Sequence, residues 1–141
     1  MLGTIRTLSS DLREKIIERM RSIVEEYSKA MRCEAKFEIT EENVPVTIND
    51  EKLAEFARKI LSEAFGSNAI VRQDPDMGAE DFSFYANKAP GLFVVLGVKN
   101  EKKGIVYPHH HPKFDVDEDV LWIGTATYAL LAHSFLMEAK I

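Results

Sequence analysis

From Val120 to Leu136 the chain is apolar on nearly every side of a helix, and this stretch constrains the fold more than any other. A helix with one apolar stripe needs one neighbour, whereas a helix apolar all round needs cover on every side. The pattern predicts a long helix over Asp117 to Lys140 with a buried middle. Gly91 to Val98, GLFVVLGV, carries the same message for a strand. It is continuously apolar rather than alternating, which suits a parallel sheet covered by helices on both faces.

The first forty residues have a different texture. Leu2 to Leu8 is short and β-branched and reads as a strand. Ser9 and Ser10 offer an N-cap, with Asp11 and Glu14 in the first turn. Ile16, Ile17, Met20, Ile23, Val24, Tyr27 and Met31 then follow at helical spacing. Cys33, Ala35, Phe37 and Ile39 alternate with Glu34, Lys36 and Glu38, the mark of a half-buried strand. A linker with Asn43 and Pro45 leads to a second cap site at Asn49 and Asp50. Leu53, Phe56, Ala57, Ile60, Leu61, Ala64 and Phe65 give a second amphipathic helix, closed by Gly66. Ala69 to Arg72 suits a short strand, Asp74 to Gly78 a loop, Ala79 to Tyr85 a short helix and Lys99 to Pro112 a polar loop. The sheet thus changes character around residues 40 to 50, which predicts an α/β (α+β) chain of two layered units.

Length and charge narrow the classes. A chain of 141 residues favours one domain or two small ones, and a 45% apolar share argues against wholesale disorder. Eighteen Lys and Arg against 23 Asp and Glu give a net charge of -5, unlike the basic face of a nucleic-acid binder. The single cysteine, Cys33, excludes an intrachain disulfide and reads as a core residue. Met1 to Thr7 lacks the basic and apolar regions of a signal peptide. No unbroken run of about 18 apolar residues occurs, so no membrane span and a cytoplasmic setting are expected.

Three features could carry chemistry. His109, His110 and His111 precede Pro112, Phe114, Asp115, Asp117 and Glu118. Imidazole is a common metal ligand, but side chains alternate in an extended segment. Either His110 or the pair His109 and His111 can then aim at one ion, and an exposed polar loop is the plainer alternative. Gly78, Ala79, Glu80, Asp81, Phe82 and Ser83 suggest a loop entering a helix. Glu80 or Asp81 there would cap the helix, orient a metal-bound histidine or touch substrate, with capping favoured by spacing. Arg6, within Gly3 to Arg6, has the guanidinium that clamps a carboxylate, although a strand arginine is more often solvated. His133 in the last helix reads as a satisfied core histidine.

Together these stretches resemble the amidohydrolase and carboxypeptidase family of aminoacylases, indole-acetyl-amino-acid hydrolases and archaeal thermostable carboxypeptidases. The resemblance rests on GTIRT at Gly3 to Thr7, PVTIND at Pro45 to Asp50, GAEDFSFY at Gly78 to Tyr85, PGLFVVLG at Pro90 to Gly97 and HHPKFDVDEDVLWIG at His110 to Gly124. All five occur in the family's order. The resemblance implies an α/β/α catalytic domain with two metal ions, zinc or in some branches manganese or cobalt, and an inserted ferredoxin-like lid. On it, residues 1–44 correspond to the second half of the lid, a strand–helix–strand piece that serves dimerisation. Residues 45–141 correspond to the C-terminal part of the catalytic domain. His110 matches the family's C-terminal metal ligand in its His-x-Pro-x-Phe motif. Arg6 matches a lid position suited to holding the substrate carboxylate. Glu80 and Asp81 match its Glu-Asp-Phe segment near the site, without an assigned role.

The departures from the family matter as much. Complete members have more metal ligands and a general-base glutamate upstream, and no Cys-x-His motif occurs here. A catalytic zinc takes about three protein ligands, so the chain is expected to be inactive alone, with weak or no metal binding. Two further readings follow: a split enzyme completed by a chain carrying the missing N-terminal half, and a non-catalytic module that self-associates or binds metal through His109 to His111. A homo-oligomer is expected in either case, since open sheet edges tend to pair.

Overall fold

The computed structural model describes residues 1–40 and 43–138, in two compact units. One comprises Met1–Asp50 with Gln73–Leu92, the other Glu51–Arg72 with Phe93–Ile141. Among the described residues four α-helices follow in order: α1 (Ser10–Ala30), α2 (Glu51–Phe65), α3 (Phe82–Ala86) and α4 (Leu121–Glu138). Short 3-10 turns stand at Ser67–Ala69, Glu101–Lys103 and Glu118–Val120. Among the described residues the segments expected as strands form no ladder, and one antiparallel bridge joins Asn100 to Ile105. Part of the linker, residues 41 and 42, and the expected end of the last helix at Lys140 lie outside the described residues.

In the first unit α1 begins where its cap is written. Ser9 is extended, and its Oγ accepts from the Leu12 N–H at 3.3 Å. Asp11 in the first turn and Lys29 in the last complement the helix dipole. The helix ends in a Schellman closure: the Cys33 N–H donates to Ser28 O at 3.0 Å and the Arg32 N–H to Lys29 O at 3.1 Å. Arg32 occupies the left-handed position, φ 54, where glycine is the usual residue.

That closure corrects the expectation of a core cysteine. Cys33 is exposed, and its thiol donates to the Ser28 carbonyl, so it belongs to the helix end rather than to a buried face. Along Cys33, Ala35, Phe37 and Ile39 only Phe37 is half-buried, with the Arg21 guanidinium 5.4 Å from its ring centre. The short helix arrives three residues later than its predicted start. Gly91 lies so close to it that an added Cβ would sit 3.1 Å from the Phe82 ring, so glycine permits the approach.

In the second unit α2 buries Ala57 and Leu61 from its predicted stripe and stops at Gly66, φ 88. Two edge-on aromatic pairs join it to α4: Phe56 to Phe135 at 6.2 Å and Phe65 to Trp122 at 6.0 Å. Leu96 packs on the same helix beside Gly124.

The final helix forms as predicted, but its expected burial is overturned. No residue of α4 is buried, and Trp122, Tyr128, Phe135, Leu136 and Met137 are exposed. His133 is exposed as well and is not a core histidine. The reason is supply: α4 needs neighbours all round, and within its unit α2 and Leu96 cover one side. By length and composition alone, Glu118–Glu138 is also apolar enough to cross a membrane, with mean hydropathy 1.4. Length and composition alone do not overturn the expectation of no spanning segment, which was drawn from the lack of an unbroken apolar run.

Candidate functional site

The histidine loop is not extended. The His111 N–H donates to Pro108 O at 3.2 Å, closing a turn in which His110 is left-handed, φ 67. The three rings therefore do not alternate but go to separate neighbours. His109 meets the edge of Phe114 at 4.8 Å, and His111 stacks on Tyr107 at 4.2 Å. Nδ1 of His111 accepts from the Lys113 N–H at 3.0 Å, which removes that nitrogen from ligand duty. His110 is exposed, its ring edge-on to His109 at 6.4 Å. Of the three, His110 meets another imidazole of the loop, whereas His109 and His111 meet Phe114 and Tyr107 respectively.

The loop is fastened at its base by a polar cluster that sequence reasoning did not assemble. The Asn100 amide donates to Asp117 at 2.6 Å, and the Lys103 ammonium bonds both Asp117 and Asp119. Backbone bonds tie Asn100 to Ile105 and the Asp117 N–H to Val98 O. Asp117 is 5% exposed, yet the Asn100 amide, then the Lys103 ammonium, hold its carboxyl below the ordinary range. The same contact with Asp117, then the one with Asp119, raises the Lys103 ammonium. The signal available in sequence was the turn chemistry: Asn100 caps Glu101–Lys103 and Gly104 is left-handed, φ 75.

Arg6, Glu80 and Asp81 belong to the other unit. Arg6 is exposed and its Nη1 donates to Met77 O at 2.9 Å, which holds it beside the glycine that opens GAEDFSFY. The Thr47 hydroxyl of PVTIND donates to Glu80 O at 3.5 Å, and the Asp50 N–H to Gly91 O at 2.9 Å. Stretches far apart in sequence are thus stitched together. Capping falls to Glu80, whose carboxylate accepts from the Phe82 N–H at 3.3 Å, while Asp81 makes no side-chain cap. Ser83, which sequence reasoning also passed over, is fully buried, and among the described residues its hydroxyl has no partner.

Comparison with known proteins now decides the family. The model of peptidase family M20/M25/M40 matches residues 5–134. The chain belongs to this family. It is 44% identical over 137 residues to thermostable carboxypeptidase 2 of Saccharolobus solfataricus, covering 96% of this chain and 34% of that protein. It is 30% identical over 141 residues to IAA-amino acid hydrolase ILR1-like 4 of Arabidopsis thaliana, covering 98% of this chain and 32% of that one. The chain spans about a third of the length of the curated relatives it matches. Enzymes of this family are metal-dependent. Among the described residues no three His, Cys, Asp or Glu side chains gather to hold an ion.

Proposed function

We propose that this chain carries one part of a metal-dependent hydrolase that cleaves amide bonds in peptides or N-acyl amino acids. In this reading residues 1–44 are lid and residues 45–141 catalytic domain. His110 supplies one metal donor, Arg6 holds the substrate carboxylate, and Glu80 and Asp81 flank the site. The metal is zinc, or manganese or cobalt, and the setting is cytoplasmic. The observation that carries the reading is the family match over residues 5–134. Further support comes from the names of the two relatives, a carboxypeptidase and an amino-acid-conjugate hydrolase. Substrates of both kinds have a carboxylate for a guanidinium to bind. The Met77 carbonyl engages one side of Arg6 and steadies the side chain.

Alone, the chain is inactive in this proposal, because one imidazole cannot hold a catalytic metal that needs about three protein ligands. The purified chain is to be assayed with zinc, cobalt and manganese on N-acyl amino acids and short peptides. No turnover above the metal-only control is expected, and robust turnover would overturn the claim.

A further inference from the structure

We propose that the uncovered face of α4, with the groove it shares with α2, docks a polypeptide carrying the part of the family's length that this chain does not match. The proposal rests on the hydrolase reading above and adds the partner and the surface.

Area gives the first argument. A compact monomer of 16.0 kDa exposes about 7,400 Å². Two separate compact bodies of half that mass, sharing no interface at all, would expose about 8,900 Å². The chain exposes 12215 Å². Roughly 3,300 Å² is therefore surplus even on the more generous reference. Obligate interfaces bury about 2,000–5,000 Å² over both partners, so about half of that on each. One interface with a second copy would leave surplus behind. A partner with the remaining two-thirds of the family's length, as the 34% coverage of the Saccharolobus relative indicates, is large enough to cover it.

The pattern on α4 gives the second argument. Ile123, Thr127, Leu130 and Ser134 share one face and are half-buried. Leu121 and Tyr128, seven residues apart, mark the opposite face and are exposed. A water-facing helix surface is normally charged, yet no Asp, Glu, Lys or Arg stands between Leu121 and Met137. Beside it Lys52, Leu53, Phe56, Phe135 and Glu138 line a groove of about 260 Å³. Lipid is a poor occupant, because α2, packed on α4, would bring Lys52, Glu55, Arg58, Lys59 and Glu63 with it.

The test uses the full chain, whose only tryptophan, Trp122, lies on α4. The partner probe is the portion of the Saccharolobus carboxypeptidase that this chain does not match, with its tryptophans replaced by phenylalanine. A one-to-one complex in sedimentation and loss of Trp122 quenching by acrylamide are expected. Leu136→Lys should weaken the complex at least about tenfold while leaving the free chain's helical signal intact. If the separate probe aggregates, joining the two through a flexible linker gives the same fluorescence readout. Unchanged quenching in both formats overturns the proposal. So does a dimer of the chain alone that shields Trp122 and is lost in Leu136→Lys, or shielding by phosphatidylcholine vesicles. A complex that forms without hydrolysing any amide keeps the docking surface and removes the hydrolase reading instead.

Discussion

Helices α2 and α4 lie against each other and live by opposite rules. The first has charged residues outward and buries Ala57 and Leu61. The second is more apolar, and none of its residues is buried. Apolar character therefore does not report how much a helix buries; the supply of neighbours does. The stripe on α2 matches what its unit can cover. The girth of α4 exceeds it, and the matched Saccharolobus relative is about three times as long as the stretch it shares with this chain.

The comparison can be broken most decisively at Leu61, 6% exposed. Leu61→Ala should lower unfolding free energy by about 2–5 kcal/mol in urea titration, because a buried leucine leaves a cavity. Next comes the polar clasp below α4. The lowered Asp117 carboxyl contributes stability above its unfolded value, near 3.9, and loses it as pH falls further. The raised Lys103 contributes below about 10.4 and loses it as pH climbs past that value. Melting followed by circular dichroism should thus be flat for this pair between about pH 5 and 9. Asp117→Asn should flatten the acid limb; an unaltered limb would remove the clasp from the account. A smaller effect, of opposite sign, is expected at Ser83: alanine there should gain about 1 kcal/mol by deleting an unpartnered buried hydroxyl. Least of all, Leu136→Ala in the free chain should shift stability by under about 0.5 kcal/mol, as at other exposed positions. A cost like that of Leu61 would mean that α4 is covered after all.

Local chemistry was the legible part of this sequence. The limits of α1 and α2 follow from Ser9, Gly66 and the apolar spacing, all of which act within a few residues. The motif stretches were legible as well, and the family match bears out the family they resemble. Burial was not legible, because it depends on partners that no local pattern contains; Cys33, His133 and the whole of α4 failed for that one reason. The histidine loop was misread as extended, since the left-handed turn at His110 carries no glycine to announce it. Strand pairing stays where the sequence left it, since the described residues form no ladder to test the α/β class.

The clasp of Asn100, Lys103 and Asp117 has one more implication. It shuts the neck of an excursion that holds all three consecutive imidazoles, and none of the clasp's members is itself an imidazole. The tip can therefore drift in evolution, gaining or losing rings, without loosening the stem that leads into α4. Anchorage and the imidazole-bearing tip are divided between separate residues, so a substitution at the tip leaves the bonds of the clasp in place.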